Sequence, residues 1–195
     1  ISMPEEINRL CTDVLCDFLF TTDHIADRNL REEGIDPKKI FFVGNVMIDT
    51  LLKHRDMASK LELRDNMGLK PGGYATLTLH RPSNVDDRDV LKGILEAVAE
   101  ISRKMPVIFP IHPRTRKMAQ QYGLEDFFNT SAKVEGIWIT EPLGYLEFLH
   151  LNMGARLVLT DSGGLQEETT VLGVPCLTMR PNTERPITCE EGTNI

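Results

Sequence analysis

From residue 36 onward the chain alternates two patterns: short, almost uninterrupted apolar runs rich in β-branched residues, and longer amphipathic stretches at helical spacing. The apolar runs fall at 40–43, 75–79, 107–111, 136–140, 157–160 and 175–179. A strand with one wet face alternates apolar and polar residues; these runs do not, which is the pattern of strands buried on both faces of a parallel sheet. Helices must then cover both faces, and the connecting segments supply them. In 87–104, Val90, Leu91, Ile94, Leu95, Val98 and Ile101 recur at helical spacing, with Asp86 or Asp87 placed to cap the helix start. Segments 115–122, 145–153 and 165–172 read likewise. Repeated winding of this kind predicts an α/β fold, a Rossmann-like parallel sheet with helices on both faces.

The first 34 residues have a different character. A helix is expected from Glu5 to about Cys16, then an apolar run Phe18-Leu19-Phe20, then a second helix from Asp23 or His24 to Glu33 that Gly34 stops. A strand at 18–21 needs a sheet to join, and its expected home is a domain lying upstream. The expected organisation is therefore 1–35 as the remnant of an upstream domain with the interdomain connection, and 36–195 as the Rossmann-like domain. Neither terminus reads as a natural domain boundary. The charged stretch 53–70 is expected to be helical.

Composition narrows the function classes. With 41% apolar and 26% charged residues the chain has ample material for a core. Twenty-two Lys and Arg against 29 Asp and Glu give a net charge of −7, which argues against broad electrostatic binding to nucleic acid. No apolar run approaches the roughly 18 residues of a membrane helix, and the start lacks the basic and apolar regions of a signal peptide. Cys11, Cys16, Cys176 and Cys189 show no metal-binding spacing, so a reduced, cytoplasmic setting is expected, with the cysteines as small buried apolar residues.

The most informative run is Leu157-Val158-Leu159-Thr160-Asp161-Ser162-Gly163-Gly164-Leu165-Gln166-Glu167-Glu168. A buried strand ends in a glycine turn and becomes a helix at once, so unpaired backbone N–H groups and the positive end of the helix dipole face the carboxyl edge of the sheet. That arrangement cradles phosphate. Glu168, four residues past Gly164 and on the same helix face, is placed to accept from vicinal ribose hydroxyls. The plainer reading of Ser162-Gly163-Gly164 is a tight turn; the acidic residue in register favours the functional one.

His80-Arg81 and His112-Pro113-Arg114 each follow a predicted strand, at the edge where open α/β sheets bind ligands. His24, His54 and His150 are expected to be structural. Arg185, in the loop after the last strand, is a surface charge or a fork aimed at the phosphate site. Phe148 is placed to stack on a base, with core packing as its default role.

Taken together, Pro4-Glu5-Glu6-Ile7-Asn8-Arg9, Gly44-Asn45-Val46-Met47-Ile48-Asp49, His80-Arg81, Ile111-His112-Pro113, Glu141-Pro142-Leu143-Gly144-Tyr145-Leu146-Glu147-Phe148, Thr160-Asp161-Ser162-Gly163-Gly164-Leu165-Gln166-Glu167-Glu168 and Thr183-Glu184-Arg185-Pro186 make the chain resemble the non-hydrolysing UDP-N-acetylglucosamine 2-epimerases over essentially its whole length. The resemblance implies the C-terminal half of a GT-B architecture, two Rossmann-like domains clasping a nucleotide sugar. It also implies interconversion of UDP-GlcNAc and UDP-ManNAc by elimination of UDP and its re-addition, without cofactor or metal, in a homodimer.

By the same resemblance Ser162, Gly163 and Gly164 cradle the diphosphate, Glu168 holds the ribose and Phe148 packs near the uracil. Arg185 and His112 contact the phosphates, His112 helping UDP to leave, and Glu5 serves proton transfer. Arg81 matches a position linked to a second, activating UDP-sugar site. Ser83 stands where many relatives have Glu, and Leu143 occupies a site that is Gln in some members. The chain alone is expected to bind UDP without turning substrate over. A GT-B glycosyltransferase and a non-catalytic nucleotide-sugar-binding module are the alternative readings.

Overall fold

The structure, a computed structural model, describes residues 4–129 and 136–195. It falls into two compact units, Ile1–Thr50 and Leu51–Ile195.

In the first unit, helix α1 (Pro4–Leu15) precedes strand β1 (Leu19–Thr21), helix α2 (His24–Glu32) and strand β2 (Ile40–Phe42). Asp23 caps α2 by accepting from the Ala26 N–H, and Gly34, at φ +87°, turns the chain out of the helix in the left-handed region that only glycine enters cheaply. Strands β1 and β2 pair in parallel, Leu19 with Ile40 through Thr21 with Phe42. The apolar run at 40–43 is thus not a strand of the large sheet, as its pattern suggested. It partners the run at 18–21, because periodicity reveals that a segment is a strand but not which strand lies beside it.

Helix α3 (Val46–Ser59) leads into the second unit, and α4 (Leu63–Asn66) follows. The second unit is then wound from β3 (Ala75–Thr78), α5 (Pro82–Val85), α6 (Arg88–Ser102), β4 (Val107–Pro110) and α7 (Pro113–Tyr122). Next come β5 (Phe128–Asn129), β6 (Ile137–Thr140), α8 (Tyr145–Gly154), β7 (Leu157–Thr160), α9 (Gly163–Leu172), β8 (Cys176–Thr178) and α10 (Pro186–Glu190). The six strands β3 to β8 form one all-parallel sheet in the order β5-β6-β4-β3-β7-β8. Its sixth member is the two-residue β5 at one edge, too short to leave a periodic signal.

Side-chain direction alternates along each strand and sorts the apolar residues onto two faces. Ala75, Leu77, Val107, Phe109 and Leu159 meet Leu91, Leu95 and Val98 of α6 on one side. On the other, Tyr74, Ile108 and Val158 meet Leu151 of α8. Each fully buried leucine contributes about 1.5–3 kcal/mol relative to exposure. Asp87 caps α6 through the N–H groups of Asp89 and Val90.

His150 is buried, its Nδ1 2.8 Å from the Ala58 carbonyl, which is the structural role expected of it. Of the four cysteines only Cys176 is buried; Cys11 and Cys189 are exposed and Cys16 half-buried, so core packing describes one of them and not the set. Among the described residues no helix is long and apolar enough to cross a membrane.

Candidate functional site

Strand order locates the site. From β3 the chain winds through β4 to β6, then crosses to the far side of β3 to lay down β7 and β8. Neighbouring β3 and β7 therefore send their connections in opposite directions, and a crevice opens beyond their carboxyl ends, where α/β sheets take their ligands. Thr78 and Thr160 are register partners there, their hydroxyl oxygens 2.6 Å apart.

Asp161 follows Thr160 and is fully buried. Its carboxylate accepts from the backbone N–H of His80 and Arg81 at 2.9 Å each and from Asn84 Nδ2 at 3.2 Å, and it lies 2.8 Å from His80 Nδ1. Burial opposes its ionisation, but the hydrogen bonds from the His80 ring and from the backbone of Arg81 and His80 outweigh that and hold the carboxyl below its ordinary range. The Asp161 contact at Nδ1 fixes the orientation of the His80 ring. The His80 ring borders a pocket of about 190 Å³ shared with Thr78, Pro110, His112, Leu143 and Phe148. The His80 and His112 ring centroids are 6.3 Å apart. His112 is exposed and its Nδ1 caps α7 by accepting from the Arg114 N–H. The half-buried Phe148 is a wall of this pocket, not a core residue.

The glycine turn lies at the same end of the sheet. Ser162 is the N-cap of α9, yet its side chain makes no capping bond, and its own N–H donates to Thr160 Oγ1. The helix start is thus not closed by a side chain from within, the state a phosphate cradle requires. Basic groups surround it. Arg81 Nη2 is 3.5 Å from Glu184, whose carboxylate is gripped by Arg180 at 2.6 and 2.9 Å. The Arg180 bonds, working against modest burial, bring Glu184 down to about 2. Arg185 lies with its Nε 3.2 Å from Glu167 Oε1.

Deeper along α9, Glu168 is nearly buried and 3.5 Å from the Tyr145 hydroxyl. Burial pushes its carboxyl above the ordinary range, the Tyr145 hydroxyl draws it partly back, and neighbouring Glu167 adds to the rise.

The structure therefore gathers His80, Arg81, His112, Phe148, Ser162, Gly163, Gly164, Glu168 and Arg185 on one edge of one sheet. Glu5 belongs to the first unit, exposed on the first turn of α1. Asp161, Tyr145, Glu167, Arg180 and Glu184 were not singled out from the sequence. Asp161 stands just before the glycine turn, but its partners are some 80 positions earlier in the chain. Among the described residues no group of three or more His, Cys, Asp or Glu is arranged to hold a metal ion.

Comparison with known proteins identifies the family. The profile of the UDP-N-acetylglucosamine 2-epimerase family matches residues 1–195. The UDP-N-acetylglucosamine 2-epimerase of Methanocaldococcus jannaschii is 47% identical over 199 residues, covering 100% of this chain and 54% of that protein. Its crystal structure in complex with UDP-GlcNAc and UDP superposes with a TM-score of 0.86 over 99% of this chain and 53% of that one. The UDP-2,3-diacetamido-2,3-dideoxy-D-glucuronate 2-epimerase of Pseudomonas aeruginosa is 42% identical over 99% of this chain and 52% of its own length. The chain spans about half the length of the curated relatives it matches. A match running from the first residue to the last, on a sheet whose open edge carries the glycine turn, settles that the chain belongs to the UDP-N-acetylglucosamine 2-epimerase family.

Proposed function

We propose that the protein to which this chain belongs is a UDP-N-acetylglucosamine 2-epimerase, converting UDP-GlcNAc to UDP-ManNAc by expelling UDP across C1–C2 and adding it back with inversion at C2. The observation that carries the reading is the uncapped glycine start of α9, ringed by Arg81, Arg180 and Arg185 at the switch point of the sheet. In this reading the N–H groups of Gly163 and Gly164, with Ser162, hold the diphosphate and gain strength as UDP takes on charge in leaving. Arg185 and His112 add positive or hydrogen-bonding contacts to the phosphates. Phe148 lies along the uracil. His80, oriented by Asp161, lines the pocket that His112 and Phe148 also border. Glu5 is assigned to proton transfer, residues 1–35 to the remnant of an upstream domain with the interdomain connection, and the working assembly to a homodimer. No step calls for a cofactor or metal.

Incubating the protein with UDP-GlcNAc and no acceptor tests this: UDP-ManNAc is the expected product. Sugar transfer that appears only with an acceptor would establish a glycosyltransferase, and UDP binding without any product a non-catalytic module. The Pseudomonas relative's name marks a second substrate, the diacetamido uronic acid, as the other sugar to assay in parallel.

Glu168 gives a separable prediction. Because burial raises its folded pKa, its charge weakens the fold at neutral pH, and Glu168→Gln is expected to raise Tm. If the carboxylate also accepts from ribose hydroxyls, the same change lowers UDP affinity roughly tenfold, since hydrogen bonds to a charged group are worth about 1.5–3 kcal/mol. Differential scanning calorimetry and UDP titration read the two effects independently.

A further inference from the structure

The loop after β8 holds one acidic side chain where an incoming anion would go. The Thr183 hydroxyl donates to Oε1 of the fully buried Gln166 in α9, and the Arg185 N–H donates to Thr183 Oγ1 at 2.9 Å. The Thr183 bond and the Arg185 Nε–Glu167 ion pair at 3.2 Å pin the loop to α9 on both sides of Glu184. Glu184 is left projecting at the helix start: a Cβ built on Gly163 would lie 3.5 Å from its Oε2. There its carboxylate is shared between two of the three arginines of the cradle, bonding Arg180 at 2.6 Å and facing Arg81 at 3.5 Å. Arg180 is 9% exposed and Arg81 33%, so these are the partly desolvated cations a phosphate would seek.

Building on the UDP-binding reading, we infer that Glu184 is an internal stand-in for ligand phosphate: a carboxylate that keeps Arg81 and Arg180 paired beside the glycine turn and must be displaced when a nucleotide diphosphate arrives. It sets how much negative charge a ligand needs in order to enter. A phosphate with two or more charges outbids one carboxylate for the two guanidinium groups, whereas a neutral or singly charged ligand leaves the internal pair standing. The salt bridge stores arginine orientation between turnovers and lowers net affinity for the product nucleotide, which favours its release.

The test is calorimetric titration of UDP into the wild-type protein, Glu184→Gln and Glu184→Ala, at low and high sodium chloride, with Tm measured for each. Both variants are expected to bind UDP roughly three- to tenfold more tightly at low salt, with the gain shrinking as salt screens the freed arginines. Affinity for UDP that stays at the wild-type value in both variants overturns the stand-in and leaves the UDP site intact. Weaker binding by variants that melt normally would make Glu184 a ligand-holding residue and overturns it too. No UDP binding by any of the three removes both this inference and the reading beneath it.

Discussion

Gly163→Ala is expected to fold normally and to lose UDP. The backbone at Gly163 lies outside the left-handed region, and a methyl there would meet only Glu184 Oε2 at 3.5 Å and Arg185 Cγ at 3.9 Å, ordinary van der Waals contact. Alanine is a better helix former than glycine by about 0.5–1 kcal/mol, so Tm should hold or rise slightly. The same methyl fills the gap between the α9 amides and the arginines. A diphosphate held off by that methyl forfeits at least one charge-assisted bond of about 1.5–3 kcal/mol, and affinity should fall at least about tenfold. Titration calorimetry on a variant with native melting checks it; unchanged affinity would mean that the diphosphate binds elsewhere.

Asp161→Ala should have the largest effect on stability. The side chain is fully buried and serves the His80 and Arg81 amides, the Asn84 amide group and the His80 ring. Removing one partner of such a buried charged cluster costs about 3–5 kcal/mol, because the remaining donors stay out of water with nothing to meet. Urea unfolding followed by circular dichroism should show the loss. The pH dependence has a definite sign. The folded-state pKa of Asp161 lies below its ordinary value, so its contribution is complete above about pH 4, where the unfolded carboxyl is ionised, and is lost as pH falls through the lower folded value. Wild type should therefore lose stability over that acid range by more than the alanine variant does. Parallel curves for the two would refute the assignment.

What the sequence disclosed and what it withheld divide along physical lines. Strands β3, β4, β6, β7 and β8 were legible because burial on two faces leaves continuous apolar runs, and α6 and α9 because their apolar residues recur at helical spacing. The glycine turn and Glu168 were legible because strand, turn and helix are consecutive. Strand partnership was not, since nothing in 40–43 says that it pairs with 19–21. Asp161 escaped for the same reason: its meaning comes from residues about 80 positions away, at the end of a strand whose neighbour only the folded sheet reveals, and Glu184, although Arg180 is four positions off, needs the fold to bring Arg81 and the start of α9 beside it.

The Asp161 anchor has a consequence for how such a site changes over generations. Two of its bonds go to main-chain amides, those of His80 and Arg81, and an amide is present whatever residue stands there, proline excepted. The frame of the β3 loop is thus held by atoms that mutation hardly touches. Side chains at position 81 can drift while the peptide beneath them stays put. A lineage can then try a new side chain on this rim without first relearning how to fold it.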